Sequence, residues 1–185
     1  MSGRVFDNFF QSSTATNLIA SETISAGTWG PSFFDSKRLL RVINSENLSV
    51  TAIIDGGKLI LFSNGGFPSF ILNYNYTGLS QSNSFMNLLI NINIISGSPS
   101  TLRMILTDIN GKIGSIIGTL QSNMITWDTS QINAEPNFLI NSISSMEILV
   151  SSNTQQLQIG PITSQIIPSG GGGIINGKIE NACGY

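Results

Sequence analysis

No histidine occurs in the 185 residues of this chain, and there is a single cysteine, Cys183. The first absence removes the commonest general base and the commonest metal ligand. The second excludes an internal disulfide, because Cys183 can pair only with another chain or stay reduced. Charge is scarce as well. Eight Lys+Arg and ten Asp+Glu make up 10% of the chain and leave a net charge of -2, whereas an ordinary soluble domain is roughly 25% charged. The eight cations are scattered and form no basic stripe, so nucleic acid is not an expected partner. No apolar run approaches the roughly 18 residues of a membrane span. The opening "MSGRVFDNFFQSS" also lacks the apolar core of a signal peptide, which leaves the export route open.

These absences bear on catalysis. Serines are plentiful, but without histidine none has an evident base to activate it, and no G-x-S-x-G elbow is present. The acids, among them Asp55, Asp108 and Glu147, form no recognisable paired-carboxylate motif of the glycosidase kind. "TDINGK" is similar to a fragment of a calcium loop, but the other acidic positions and the closing Glu are missing. The simpler reading is a turn in which Asp108 caps its own backbone. The expectation is a protein that is not an enzyme, with no cofactor and no metal site.

What is present is β pattern. Hydrophobic residues make up 41% of the chain, and they come in short alternating or continuous runs rich in Ile, Val, Thr and Phe. "LSVTAIID", "KLILFSN" and "SFILNYNY" are separated by Asp55-Gly56-Gly57 and Asn64-Gly65-Gly66, which reads as two adjacent hairpins. "MNLLININIIS" sets Leu88, Ile90, Ile92 and Ile94 on one face. "STLRMILTD" turns at Asp108-Ile109-Asn110-Gly111 into "KIGSIIGTLQ", where Gly114 and Gly118 mark a bulge or a close backbone approach. Helical character is confined to about one turn near Thr129 to Ala134. The sum is an all-β, jelly-roll-like antiparallel β-sandwich of about ten strands. Leu39, Val42, Leu59, Leu61, Leu88, Ile90, Ile92, Leu102, Ile105 and Leu149 are its expected core. The sandwich takes up residues 1–165, and residues 166–185 form a Gly-rich hinge and a C-terminal arm.

"FDNFFQ", "SKRLLRV", "GGKLILFSNGG" and "LNYNYTG" follow one another in the first half of the chain. In this order they resemble a family of jelly-roll domains found in exported bacterial proteins, mostly of unassigned function. Those domains open on an Asp-(Asp/Asn)-Phe motif. A Ser/Thr-x-Arg-x-(Leu/Ile) strand, a Gly-x-Leu-x-x-Ser segment and a Tyr-Asp-Gly-like step follow. Here Tyr74-Asn75-Tyr76-Thr77-Gly78 replaces the acidic step. The resemblance implies the fold and no activity.

Two sets of residues stand out for function. Trp29, Tyr74, Tyr76 and Trp127 are aromatics that would stack on the apolar faces of sugars if exposed and would pack the core if not. In the tail, Gly170 to Gly173 form a flexible connector to "IINGKIENACGY". Ile174, Ile175, Ile179, Cys183 and Tyr185 would make this an assembly arm, able to add to a neighbouring sheet edge. With few charges to oppose association, the leading expectation is a self-assembling structural subunit of a bacterial surface fibre, appendage or coat. It would be a homo-oligomer or polymer at the cell surface or outside the cell. The alternatives are a carbohydrate-binding module and a viral or phage capsid or fibre jelly roll.

Overall fold

The computed structural model describes residues 4–9, 13–18, 23–28, 37–43, 50–76 and 84–167. Fifteen strands lie within them: β1 (Arg4–Asp7), β2 (Ser13–Leu18), β3 (Thr23–Thr28), β4 (Lys37–Ile43), β5 (Val50–Asp55), β6 (Lys58–Ser63), β7 (Ser69–Asn75), β8 (Leu88–Ser96), β9 (Pro99–Asp108), β10 (Ile113–Ile117), β11 (Thr119–Gln121), β12 (Met124–Asp128), β13 (Asn133–Ala134), β14 (Ile143–Ser152) and β15 (Gln156–Ile166). The helical turn expected after Trp127 is a 3-10 turn, Thr129–Gln131, capped by the Asp128 side chain. The strand number exceeds about ten because β11 and β13 are only three and two residues long and because the first 28 residues supply three strands.

The strands form two antiparallel sheets. An eight-stranded sheet runs β11-β12-β8-β15-β6-β5-β2, with β1 also paired to β15, and a seven-stranded sheet runs β13-β10-β9-β14-β7-β4-β3. From β6 onward the chain passes repeatedly from one sheet to the other, so sequence neighbours are seldom sheet neighbours. This is a jelly-roll-like sandwich. Its core lies between the sheets. Leu59, Leu61, Ile90, Ile92, Ile125, Leu157 and Ile162 come from one side, and Leu40, Phe70, Leu72, Met104, Leu106, Ile148 and Val150 from the other. Burying each such side chain contributes roughly 1.5–3 kcal/mol before the entropy of ordering is set against it.

The turn chemistry accounts for two hairpins. Gly56 and Gly57 have φ of 56° and 79°, the left-handed pair that a two-residue turn requires, and they bring Asp55 opposite Lys58. Asp108 turns β9 into β10. Its Oδ1 accepts from the N–H groups of Asn110 (2.8 Å) and Lys112 (2.9 Å), and its Oδ2 accepts from Leu139 N–H (2.8 Å). Asn64-Gly65-Gly66 does not make the expected hairpin. β6 pairs with β5 and β15, whereas β7 pairs with β4 and β14, so this connection crosses between the sheets. Nor does the last strand stop near Pro161. β15 shifts register between Ile159 and Ile162 and continues to Ile166.

Most of the expected core is buried: Leu59, Leu61, Leu88, Ile90, Ile92 and Leu102. Ile105 and Leu149 are not in it. Ile105 pairs with Glu147, and Leu149 with Arg103 and Ile71. These positions alternate with buried Met104, Leu106, Met146 and Ile148, so they face outward and are half-buried. The side chains of Leu39 and Val42 lie outside the described set.

The "FDNF" stretch, residues 6–9, takes on a structural role. Asp7 is buried at 1% exposure. Its Oδ1 accepts from Phe9 N–H (2.9 Å) and its Oδ2 from the Tyr74 hydroxyl (2.6 Å). Phe9 is fully buried with φ of 49°, a left-handed backbone held by that bond. Phe85 packs against Phe6 and Tyr76, with ring centroids 5.5 and 6.1 Å apart. Burial and, after it, the nearby Asp7 carboxylate hold the Tyr76 phenol well above its usual range.

Candidate functional site

The aromatics singled out as sugar platforms are not on the surface. Tyr74, Tyr76 and Trp127 are 1%, 3% and 0% exposed. The two tyrosines do share a face, but it is the inner one, and neither of them nor Trp127 presents a ring face to a ligand. Trp127 packs against Gly118, where an added Cβ would come within 2.8 Å of the indole Nε1. Gly118 therefore marks a close approach, as Gly114 does against Ile132 and Phe138. Trp29 lies outside the described residues. So do the arm residues Ile174, Ile175, Ile179, Cys183 and Tyr185 and the glycine hinge before them.

The register of the seven-stranded sheet brings together a different set. Across its outer face one row reads Ile117, Arg103, Leu149, Ile71 and Arg41. The next row reads Ser115, Ile105, Glu147 and Asn73. Leu149 and Ile105 are half-buried, and Ile71 is only 9% exposed although its position faces outward. Together they make an apolar strip in the middle of the face. Arg41 and Arg103 are exposed at its two sides, and Glu147 and Asn73 are half-buried beside it. With strands about 4.8 Å apart, three strand steps separate the arginines by roughly 14 Å. Among the described residues, Arg41, Asn73, Arg103 and Glu147 make no side-chain hydrogen bond or ion pair. Four polar side chains with donors and acceptors to offer thus ring an apolar floor.

The alternation that produces this face is visible in "SSMEILVS" and "LNYN", where polar or half-exposed positions fall two apart. Which residues of separate strands stand side by side is a matter of register, and no single segment states it.

Outside this face the described residues also expose the rings of Phe62 and Phe67, at 48% and 59%. Among the described residues no three of His, Cys, Asp and Glu are grouped as a metal site would need, and no helix is long and apolar enough to cross a membrane. Asp108, 1% exposed, is a turn residue. Burial pushes its carboxyl up, but the N–H groups of Leu139, Lys112 and Asn110 and the Lys112 charge outweigh that and leave it below the ordinary value.

No family model and no curated protein matches the chain. Among solved structures it is similar to a family 11 carbohydrate-binding module of a cellulosomal cellulase of Clostridium thermocellum. The two share 12% identity over 90% of this chain and 95% of that one, with a TM-score of 0.41. The family 11 module from Clostridium thermocellum in complex with a beta-1,3-1,4-mixed-linked tetrasaccharide gives 11% identity, 90% and 98% coverage and the same TM-score of 0.41. An agarase gives 10% identity over 91% of this chain and 25% of that one, with a TM-score of 0.39.

Proposed function

We propose that this domain is a non-catalytic carbohydrate-binding module acting at the cell surface or outside the cell, and that it binds through the outer face of the seven-stranded sheet. The observation that carries the proposal is the apolar strip of Ile71, Leu149 and Ile105 flanked by Arg41, Asn73, Arg103 and Glu147, none of them with a side-chain partner among the described residues. A sugar ring has an apolar C–H face and a rim of hydroxyl groups. Half-buried Leu149 and Ile105 take the first by contact, with the nearly covered Ile71 beside them. The planar guanidinium, amide and carboxylate groups take the second, each able to make two parallel hydrogen bonds. An open face also suits a long polymer, which a closed pocket would not admit. Binding is all this site is asked to do, since one half-buried carboxylate gives no acid–base pair.

The test is native gel electrophoresis in gels containing neutral and acidic polysaccharides, with Leu149→Asp as the variant. Retardation by at least one polysaccharide, abolished by Leu149→Asp while the circular dichroism spectrum is kept, is the expected result. No retardation by any polymer, or undiminished retardation of the variant, would remove the proposal.

A further inference from the structure

Resting on the carbohydrate-binding reading above, we infer that the polymer this face takes is anionic, a polysaccharide bearing carboxylate or sulfate groups. The chain as a whole is slightly acidic, with a net charge of -2, but its charges are not spread evenly. Of the cations whose side chains are described, Lys112 lies 3.9 Å from Glu135, and Lys58 stands opposite Asp55 in the β5–β6 hairpin. Arg41 and Arg103 differ from both. Arg41 faces Ile71 and Thr23 across its strands, and Arg103 faces Leu149 and Ile117. Neither has an acid directly opposite, and neither forms an ion pair among the described residues.

The other acids among the described residues do not cancel this. Asp7, Asp55 and Asp128 belong to the eight-stranded sheet, and Asp108 and Glu135 to the β9–β10 turn and the segment beside it. The sheets of a sandwich stand about 10 Å apart, so charges on the far face lie beyond the screening length of roughly 8 Å at physiological salt. Among the described side chains, a ligand meets locally two exposed guanidinium groups and one half-buried carboxylate. Guanidinium is the side chain best shaped for carboxylate and sulfate oxygens, because its fork donates two parallel hydrogen bonds. Glu147 sits between the arginine positions and accepts from hydroxyl groups only. The pattern is two anion contacts roughly 14 Å apart with a hydroxyl acceptor and an apolar strip between them. That spacing fits a chain of sugars carrying anionic groups at intervals. A neutral glycan would leave both forks with hydroxyl contacts alone.

The experiment measures dissociation constants by affinity electrophoresis with four probes: polygalacturonate, dextran sulfate, neutral dextran and a neutral mixed-linkage β-glucan. The wild type is compared with Arg41→Gln, Arg103→Gln, the double variant, Glu147→Gln, and Lys58→Gln on the opposite sheet. The expected result is preference for one or both acidic polymers, and which of the two separates carboxylate from sulfate recognition. Each Arg→Gln change should weaken acidic binding by roughly tenfold. Glu147→Gln should tighten it, and Lys58→Gln should leave it unchanged. Equal or stronger binding of a neutral glucan, with the Arg→Gln variants unaffected, would overturn the anionic inference and leave the carbohydrate-binding reading standing. Retention by none of the four probes would remove both. Binding of a single-stranded DNA oligonucleotide as tight as that of polygalacturonate, or a loss in Lys58→Gln equal to that in Arg103→Gln, would also overturn the inference, since unspecific charge attraction would then explain the result.

Discussion

The Tyr74 hydroxyl donates a 2.6 Å hydrogen bond to Asp7 Oδ2 inside the sandwich, and it joins two residues 67 positions apart in the chain. Through that bond β1, at the start of the described chain, is tied to β7 of the opposite sheet. Tyr74→Phe keeps the ring in the core and deletes one donor to a buried carboxyl group. Hydrogen bonds to charged groups are worth about 1.5–3 kcal/mol, and the loss should be of that size in urea unfolding. A midpoint indistinguishable from wild type would show that this bond does not hold β1 in place.

Two glycines share a backbone handicap and differ in space. Gly97 has φ of 96°, and a Cβ there would stand 2.5 Å from the backbone oxygen of Gln156 and 3.0 Å from Leu157 Cα. Gly111 has φ of 77° with nothing within 4 Å. Gly111→Ala should cost only the left-handed strain of about 1–2 kcal/mol. Gly97→Ala adds a collision with backbone that cannot swing away, so its unfolding midpoint should fall clearly further. Equal losses would mean that the β8–β9 turn yields freely.

Asp108 predicts an acid-side loss of stability. Its folded-state carboxyl is lowered from the ordinary 3.8, so below that value the unfolded chain binds the proton more readily than the folded one. Its stabilising contribution is present above pH 3.8 and fades as pH falls through the lower folded value. Asp108→Asn keeps an acceptor for Asn110 and Lys112 but turns an amide donor toward the Leu139 N–H. The variant should be less stable at pH 7 and should lose less on acidification. Parallel stability–pH curves for the two proteins would contradict this.

Ile148 and Leu149 are chain neighbours on opposite faces of β14. Ile148→Ala should cost about 2–5 kcal/mol as a buried truncation. Leu149→Ala, on the half-exposed face, should cost under about 1 kcal/mol and weaken retention by the polysaccharide. Denaturant titration and gel retardation, run on both variants, separate the two roles. If Leu149→Ala is the more destabilising, the face assignment is reversed.

The turns and the alternation of strands could be read from the chain. Asp55-Gly56-Gly57 and the Asp108 turn dictate their local geometry through side chains and left-handed glycines, and Leu88, Ile90 and Ile92 alternate onto the core as their spacing requires. The candidate site was not legible in the same way. Glu147 stands between Ile105 and Asn73 only because β14 lies between β9 and β7 in one register, and a slip of one residue would turn each set of side chains to the other face. Ile105 and Leu149 look like core residues because hydrophobicity does not tell which face of a sheet a strand shows to water. The tyrosines failed as surface residues for the converse reason: Tyr74 carries a polar tip, and Asp7, far away in the chain, satisfies it inside.

β14 and β15 are the last two strands among the described residues, and each lies in the middle of its sheet, β14 between β9 and β7 and β15 between β8 and β6. During synthesis every strand they join leaves the ribosome first. Until they arrive, β6, β7, β8 and β9 each present an open edge, and neither half of either sheet can bridge to the other. Such long-range pairing makes for slow folding and exposes edges that other chains can join. The scarcity of charge on this chain leaves little to keep those edges apart, so yield in expression should improve with chaperone supply and lower temperature more than folded-state stability alone would suggest.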